Sequence, residues 1–250
     1  LKLICEREEE INRFEPEEYW SIGANFKKDK KKFKANFYGL KGKKQALSNA
    51  EDVQKIIKEL DGDQFEVMSV TKKERLRNPA LPFKTSSLQQ EAARKLNFRT
   101  RKTMMVAQQL YEGISLGRGG AVGLITYMRT DSTRIALSAK NEAAEYIIKE
   151  FGPEYAASKP RIGKKAEGDQ DAHEGIRPSS VLRTPKEVEK YLTKDQYKLY
   201  NLIWSRLVAS QMTPAVFDTM KVDIAQKDIY FRANVSKVKL PCYQKVYIEG

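Results

Sequence analysis

The spacing of hydrophobic residues changes twice along this chain, and no other feature constrains its fold as strongly. Apolar residues alternate with polar ones over residues 20–26 and 33–37, and the alternation returns after residue 213. Between residues 84 and 211 they recur every three or four positions instead. Alternation is typical of strands with one buried face, whereas the longer spacing is typical of amphipathic helices. The sequence therefore predicts an α+β protein in which helices interrupt a sheet.

The two changes of spacing give the predicted domain boundaries. Residues 1–14 have helical spacing, and we interpret them as the truncated end of a helical segment from a preceding domain. Residues 15–83 and 213–250 form a discontinuous β-rich domain in this prediction, and residues 84–212 form a mainly helical domain inserted into it. The two crossings between these domains would lie side by side. Such a pair of crossings would act as a hinge.

Short signals predict where single elements begin and end. The lysine-rich residues 27–32 separate two alternating runs and predict an antiparallel hairpin. A turn of this charge can contact phosphate, but a solvated loop is the more common structure. A helix-capping pattern stands at four positions, Ser48, Ser87, Thr184 and Thr193. A last strand is predicted over residues 242–248.

The charge of the chain favours a polyanionic partner. Its 46 lysines and arginines exceed its 33 acidic residues, which gives a net charge of +13 and a pI near 9.5. Nucleic acid is the leading candidate, because a basic protein that binds it releases counterions. An acidic membrane surface is the alternative. However, no run approaches the length that spans a bilayer, and the basic residues are not gathered on one amphipathic helix, so we expect no membrane association.

Residue patterns predict neither a metal site nor a nucleotide site. Cys5 and Cys242 lack CxxC spacing and the chain has a single histidine, so we expect no zinc site. Reduced thiols are the expected state, with one disulfide as the alternative. Two Asp-x-Asp pairs, at residues 61–63 and 169–171, do not extend to a further carboxylate, and we interpret both as structural. The glycine-rich residues 113–123 match neither common nucleotide-binding loop.

A tyrosine marks the point where an apolar run gives way to cations and hydroxyl groups. Tyr127 is followed by residues 129–134, which carry two arginines, three hydroxyls and one carboxylate. A phenol whose pKa is about 10 is a weak nucleophile at neutral pH, so a cation must stabilise the phenolate and the charge that develops on phosphorus. Arg129 would lie on the same face as Tyr127 if the run is extended. From residue types alone, a half-buried core tyrosine is the more frequent interpretation, with Asp131 or Ser132 capping a helix.

The one histidine lies in a second polar segment. Residues 171–178 read Asp-Ala-His-Glu-Gly-Ile-Arg-Pro. An imidazole beside a carboxylate and an arginine suits proton transfer or phosphate contact at neutral pH. On residue type alone, a loop histidine without a catalytic role is the more frequent interpretation of His173.

Both polar segments belong to a series of recognisable sequence motifs. Residues 123–132 read Gly-Leu-Ile-Thr-Tyr-Met-Arg-Thr-Asp-Ser. Residues 172–178 match a second motif except for Gly175, where alanine is usual, and we regard this change as minor. Four further motifs lie at residues 7–20, 82–92, 102–113 and 210–215. In this order they resemble bacterial topoisomerase I, a type IA DNA topoisomerase, across nearly the whole chain.

The resemblance implies an enzyme that breaks and rejoins DNA. Tyr127 would be the catalytic nucleophile that forms a 5′-phosphotyrosine link and leaves a free 3′-hydroxyl. Arg129 would stabilise the phosphate, and His173 would assist DNA binding or proton transfer. Passage of a second strand, followed by religation, would relax negative supercoils without a nucleotide cofactor. The resemblance also implies DNA contacts by seven further residues, Thr126, Thr130, Asp131, Ser132, Arg177, Gln89 and Gln90.

The resemblance further implies parts outside the residues that it covers. The family has a toroidal architecture in which a β-rich domain serves as strap and hinge. Its Mg²⁺-binding acidic domain precedes the part resembled here, so we expect this chain to be a fragment that is inactive without that domain. The expected partners are single-stranded or negatively supercoiled DNA and the remaining domains of the same polypeptide. We expect a monomer in the cytoplasm, associated with the nucleoid.

Two other functions stay open on sequence grounds. A non-catalytic module could hold single-stranded nucleic acid on the same basic surface, with Tyr127 stacked on a base. Only an enzyme would form a covalent adduct. A tyrosine recombinase or type IB enzyme would also use a tyrosine, but it forms a 3′-phosphate link. Its widely spaced Arg-His-Arg set is not evident in this sequence.

Overall fold

The structure of the chain, a computed structural model, describes residues 1–62, 64–117, 120–159 and 173–248. It divides into two compact units. Unit 1 comprises residues 1–74 and 218–237, and unit 2 comprises residues 75–217 and 238–250. Each unit has its own hydrophobic core, and the two are described separately below.

The elements follow the predicted succession of strands, helices and strands. The α-helices are α1 (Lys2–Asn12), α2 (Ala50–Glu59), α3 (Thr85–Leu96), α4 (Thr100–Glu112), α5 (Leu137–Phe151), α6 (Pro185–Val188) and α7 (Lys194–Ser210). The strands are β1 (Gly23–Lys28), β2 (Lys31–Leu40), β3 (Lys43–Lys44), β4 (Glu66–Arg77), β5 (Ile114–Ser115), β6 (Ala121–Val122), β7 (Ala215–Gln226) and β8 (Ile229–Leu240). Short 3-10 helices lie at Pro153–Tyr155, Glu189–Tyr191 and Cys242–Lys245.

Unit 1 is built on a sheet whose strand order is β1-β2-β8-β7-β4, with β3 paired to β2. The predicted hairpin is confirmed, because β1 and β2 pair antiparallel with Phe26 opposite Phe33. β2 also pairs antiparallel with β8, where Phe37 lies opposite Phe231. The register between these strands shifts after Phe37, where the chain approaches Gly39. A side chain at Gly39 would collide with the backbone of β3, and its φ of 154° favours glycine.

The core of unit 1 lies between one face of the sheet and α2. Val53 and Ile56 of α2 are buried in the same cluster as Phe231 of β8. The rings of Phe26, Phe65 and Phe231 meet edge to face, with centroids 5.0 to 6.0 Å apart. Edge-to-face aromatic pairs add stability beyond the area that they bury. This aromatic packing therefore anchors the β1–β2 hairpin to the core of unit 1.

An ion pair lies between β7 and β8. The guanidinium of Arg232 donates two hydrogen bonds to the carboxylate of Asp223, at 2.6 and 3.1 Å. The Ser69 hydroxyl on β4 donates a third at 3.1 Å, and Lys221 lies 3.6 Å away. The hydrogen bond from Arg232, more than any other contact, holds the pKa of Asp223 below its ordinary value.

Two of the four predicted helix caps are wrong by one to three residues. Asn49, not Ser48, caps α2, since its side-chain oxygen accepts a hydrogen bond from the amide three residues on at 2.8 Å. α3 begins at Thr85, so Ser87 lies inside its first turn and accepts from the amide of Lys84 at 3.0 Å. Asparagine caps helices as well as serine does, and the sequence pattern does not separate such neighbours.

The other two predicted caps, Thr184 and Thr193, are confirmed. Each hydroxyl accepts from the third residue of its helix, and each threonine amide donates back at 3.0 Å. α7, which follows Thr193, is the most buried helix of unit 2, and α3 and α4 pack against it. Its Trp204 indole donates to the carbonyl of Val181 at 2.9 Å, and its Tyr200 hydroxyl donates to that of Arg183 at 2.6 Å. These bonds hold the loop before α6 to the core.

The strand predicted over residues 242–248 is wrong. β8 ends at Leu240, and Cys242–Lys245 forms a 3-10 helix, because Pro241 has no amide to continue a strand ladder and adopts helical angles. The residues after Pro241 instead follow a turn that buries both Tyr243 and Tyr247. The Tyr247 hydroxyl donates at 2.6 Å to the carboxylate of Glu91 on α3, which is only 4% exposed. Burial is the main cause that raises the pKa of Tyr247.

The α+β prediction is confirmed, whereas the insertion of one domain into another stays a prediction. The chain passes between the two compact units within β4, β7 and β8. Residues 238–250, which the predicted boundaries assign to the β-rich domain, group with the helices of unit 2. None of the helices in the described ranges combines the length and the apolar composition needed to cross a membrane.

Candidate active site

The segment that carries Tyr127 alternates between buried and exposed side chains. Leu124 and Ile125 are buried, and Met128 is completely inaccessible. Tyr127 is 44% exposed. Beyond it the pattern continues with Arg129 and Asp131 exposed and with Thr130 and Ser132 buried. Tyr127 and Arg129 are thus both exposed on either side of the buried Met128, where the chain bends.

On one side, this segment is fixed to helix α4. The amide of Leu124 donates to the carbonyl of Leu110 at 2.7 Å. Gly123 makes this approach possible, because a Cβ there would lie 2.8 Å from the carbonyl oxygen of Tyr111. The Tyr111 ring in turn meets the Tyr127 ring at 5.4 Å in a tilted, edge-on arrangement. The body of the Tyr127 ring is therefore supported while its edge stays in solvent.

On the other side, the segment pairs with the second polar segment, residues 173–178. Ile125 forms a bridge with Pro178, and the amide of Thr126 donates to the carbonyl of Arg177 at 2.9 Å. The Thr126 hydroxyl donates to the carbonyl of Gly175 at 2.8 Å and accepts from the amide of Arg177 at 3.0 Å. One hydroxyl next to Tyr127 thus forms hydrogen bonds with two main-chain groups of the other segment. The structure brings the two segments together, although 49 positions separate Thr126 from Gly175.

A third attachment fixes the chain just beyond Tyr127. The Thr85 hydroxyl, at the start of α3, donates to the carbonyl of Met128 at 2.8 Å. The amide of Thr130 donates back to the same hydroxyl at 2.9 Å. The Thr130 hydroxyl then accepts from the amide of Ser132 at 3.0 Å, and the Ser132 hydroxyl accepts from that of Arg134 at 3.1 Å. Thr130 and Ser132 therefore use their hydroxyls to shape the backbone.

The side chain of Arg177 is turned inwards. It is 12% exposed and forms an ion pair with Glu174 at 2.7 Å. It also donates to the carbonyl of Pro178 at 3.0 Å, whereas its buried Nε has no hydrogen-bond partner among the residues that the structure describes. Glu174 accepts a second bond from the amide of Ala136, which joins this loop to the start of α5. His173, by contrast, is exposed.

The predicted nucleophile and cations are open to solvent. Apart from the ring contact with Tyr111, no polar or aromatic partner of Tyr127 or Arg129 lies in the described ranges. On α3, Gln90 is exposed and Gln89 is half-buried. A phosphate could thus approach the phenol and the guanidinium from solvent without displacing an ion pair.

Comparison with known proteins gives the family. The family model described as "DNA topoisomerase" matches residues 1–250. The chain belongs to the bacterial type IA DNA topoisomerases. It is similar to the full-length topoisomerase I of Thermotoga maritima, with 39% sequence identity and a TM-score of 0.77. That match covers 100% of this chain but only 39% of the Thermotoga chain, so the chain spans about two fifths of the length of this relative.

Sequence reasoning missed three polar side chains that shape the site of this topoisomerase chain. Thr85 holds the backbone on both sides of Arg129, and Glu174 links the histidine segment to α5. Glu142 of α5 accepts from the Ser180 hydroxyl at 2.7 Å and from the amide of Val181 at 2.8 Å. Thr85 and Glu174 lie within the recognised motifs at residues 82–92 and 172–178, so the sequence did point to these two positions. No sequence signal marks Glu142.

The described residues of this topoisomerase chain do not fit a metal ion. They contain no group of three or more histidine, cysteine, aspartate or glutamate side chains that could hold one. Of the two Asp-x-Asp pairs, Asp63 and residues 169–171 lie outside the described residues, as do residues 118–119 of the glycine-rich loop.

A groove of about 450 Å³ lies in unit 1, whereas Tyr127 belongs to unit 2. None of the residues predicted to act in catalysis or DNA contact lines it. Its lining is Lys72, Lys73, Glu74, Asp218, Thr219, Met220, Val235 and Lys237.

Proposed function

We propose that this chain carries the nucleophilic tyrosine of a type IA topoisomerase and that Tyr127 is that residue. The observation that carries the proposal is an exposed phenol on a backbone fixed by three separate attachments. Here α4, residues 173–178 and Thr85 all bond to the segment that bears the phenol. Such fixation is what in-line attack on phosphorus requires.

The proposed reaction is a transesterification. The Tyr127 phenolate oxygen attacks the phosphorus of one DNA phosphodiester, and the bond from phosphorus to the 3′-oxygen breaks. The phenol loses a proton, and the departing 3′-oxygen gains one. The 5′-phosphate then remains on the tyrosine, and attack by the free 3′-hydroxyl reverses the step. One phosphoester bond replaces another, so no nucleotide cofactor is needed.

Arg129 and His173 are proposed to assist this step. Arg129, two residues after Tyr127, is exposed and has no competing ion pair with any described residue. Its guanidinium would stabilise the phenolate and the charge on the phosphate. His173 is exposed at the start of the segment that Thr126 holds. It would bind the DNA backbone or transfer a proton.

The other predicted DNA contacts divide by burial. Asp131 and Gln90 are exposed, and we propose that they contact the DNA strand directly. Thr130 and Ser132 are buried and hold the backbone. Thr126 and Arg177 are tied to each other, so we propose that they position the strand-binding surface rather than touch the scissile phosphate. Gln89, which precedes Gln90 on α3, is half-buried.

The complete activity is proposed to need more of the family's polypeptide. Strand passage through the break would relax negative supercoils in DNA. The Mg²⁺ ion would be bound by the family's acidic N-terminal domain. This chain alone is expected to be inactive without that domain.

A covalent-capture assay tests the role of Tyr127. This chain is mixed with a 3′-labelled single-stranded oligonucleotide, Mg²⁺ and the separately produced acidic N-terminal domain of the family. The products are separated on a denaturing gel. We expect a labelled protein band for the unaltered chain and for Tyr111→Phe, and none for Tyr127→Phe. Tyr111 is the matched control, because it is similarly exposed, at 40%, and touches the same ring.

The outcomes separate the enzyme from a binding module. A band that persists in Tyr127→Phe would transfer the nucleophile to another residue. The absence of any band, once gel filtration shows that the two parts associate and DNA binds, would favour a non-catalytic module for single-stranded nucleic acid. A band that appears only with 5′-labelled DNA would indicate the opposite, 3′-phosphate linkage.

A further inference from the structure

The hairpin of β1 and β2 gathers positive charge that the candidate active site does not use. Residues 27–34 contain six lysines and one aspartate, a formal charge of +5. The strand register pairs Lys27 directly with Lys32, and Lys28 with Lys31. Like charges directly opposite each other destabilise a strand pair. Stability alone gives no reason for this arrangement.

Register and alternation place three lysines on one face of the hairpin. Lys27 and Lys32 are partners, and Lys34 is two residues further along β2. Paired residues lie on the same side of a sheet, and successive residues lie on opposite sides. The same face also carries Asn25 and Asn36, which belong to the same register. It is therefore a surface of ammonium and amide groups, which we call the lysine face.

The opposite face of the hairpin holds it in place. Phe26 and Phe33 are partners in the register and stack with their ring centroids 5.5 Å apart. Phe26 also meets the rings of Phe65 and Phe231 in the core of unit 1. The repulsion between the lysines is thus resisted by aromatic packing behind them.

No carboxylate neutralises the lysine face within the described part of the chain. Lys27, Lys32 and Lys34 are exposed, and none of them has an ion-pair partner there. The single acidic residue of the hairpin, Asp29, lies in the turn, where its φ of 54° is one that aspartate tolerates. Elsewhere unit 1 does pair its lysines, for example Lys41 with Asp228 at 3.8 Å.

The chemistry of the lysine face fits a nucleic-acid backbone better than an acidic protein. Protein interfaces depend on buried aromatic or apolar anchors, and this face offers none. Lysine and asparagine are common partners of phosphate and sugar groups. Alternate residues of a strand are about 6.7 Å apart. Lys32 and Lys34 are therefore far enough apart to contact separate phosphate groups of one strand.

We propose that the lysine face is a second, sequence-independent DNA contact, separate from the site around Tyr127, that binds the phosphate backbone through Lys27, Lys32 and Lys34. It would hold a stretch of DNA without cleaving it. Duplex and single-stranded DNA share the phosphate chemistry, and the experiment below distinguishes them.

The test compares two variants of equal net charge. Lys27→Gln with Lys32→Gln removes one pair from the lysine face, and Lys55→Gln with Lys58→Gln removes two exposed lysines from α2. The binding of the full chain to a labelled duplex and to the corresponding single strand is measured as salt is raised from about 50 to 200 mM. Each lost phosphate contact reduces the slope of log K against log salt by about 0.9 for duplex and about 0.7 for single strands.

We expect the hairpin variant to reduce the slope by about 1.8 on duplex DNA or about 1.4 on a single strand, and the α2 variant to leave it unchanged. The nucleic acid that shows the change is the one that the face binds. Equal losses in both variants would mean diffuse attraction by net charge and would overturn the proposal. An unchanged slope in the hairpin variant would overturn it too, and an acidic protein would become the partner to test.

Two controls keep the result interpretable. Lys27→Arg with Lys32→Arg keeps the charge and should keep the slope. Thermal unfolding of the glutamine variant should occur at or above the temperature of the unaltered chain, since a repulsive pair has been removed. The binding assay needs no covalent step, so it can be repeated in Tyr127→Phe. A failure of the cleavage proposal and a failure of this one are therefore seen separately.

Discussion

Replacing Thr126 with valine tests whether paired polar segments hold the candidate active site together. The hydroxyl closes two main-chain contacts, at 2.8 Å to the carbonyl of Gly175 and at 3.0 Å from the amide of Arg177. Valine has a similar shape but leaves both groups unpaired. Each buried group without its partner costs about 1–3 kcal/mol. Because these groups are only partly buried, we expect a total near 2 kcal/mol, that is, about 4–8 °C in Tm for a chain of this size.

The assay is thermal unfolding followed by circular dichroism. Thr126→Ser keeps the hydroxyl and should unfold close to the unaltered chain. Thr219→Val is the matched control, since the Thr219 hydroxyl makes a single exposed hydrogen bond to the carbonyl of Lys73 at 2.8 Å. Its effect should stay within about 0.5 kcal/mol. If Thr126→Val and Thr219→Val unfold at the same temperature, the paired segments do not hold the site and the reasoning is refuted.

Three further predictions concern other contacts. Gly123→Ala should lower the free energy of unfolding by about 1–3 kcal/mol, because its Cβ would lie 2.8 Å from a main-chain oxygen of α4. Gly23→Ala is the control, since the nearest atoms to its Cβ belong to a flexible lysine side chain. Equal Tm values for the two variants would contradict the predicted clash. Tyr247→Phe removes a 2.6 Å hydrogen bond to a buried glutamate of α3 and should cost about 1.5–3 kcal/mol in urea unfolding, whereas no shift in midpoint would show that water replaces it. Asp223→Asn should be less stable at neutral pH. Arg232 lowers the folded pKa of Asp223, so its stabilisation is present above the ordinary aspartate pKa and is lost as the pH falls through the folded value. The difference between the two proteins should therefore vanish in acid, and a difference that does not depend on pH would contradict the assignment.

Local signals predicted those parts of the fold that a few neighbouring residues decide. The β1–β2 hairpin follows from two alternating runs around a short turn, and its register agrees with the alternation. The capping boxes at Thr184 and Thr193 involve residues only three positions apart, so their bonds are visible in the sequence. The cap of α2 was displaced from Ser48 to Asn49 because these neighbours cap equally well. α3 begins three residues earlier than predicted, and Ser87 accepts from the Lys84 amide inside the first turn.

Residues 242–248 are the part of the fold that was predicted wrongly. They were predicted as a strand, but they turn after Pro241 and bury Tyr243 and Tyr247 instead. Pro241 was a local signal against the strand, because it has no amide for a strand ladder. The hydrogen bond from Tyr247 to a glutamate far away in sequence on α3 is a long-range contact that the sequence did not reveal.

The features of the candidate site likewise fall into those that the sequence determined and those that only the tertiary structure decided. The sequence alone determined the family, the tyrosine with an arginine two residues later, and the α+β class, because these depend on residue type and spacing along the chain. Tertiary structure alone decided that Thr126 and Arg177 bind each other, that Thr85 fixes the backbone beyond Tyr127, and that Arg177 is turned towards Glu174. Hydrogen bonds between distant segments leave no periodic trace in a sequence, since each needs only one polar group on either side and the fold to bring the two together.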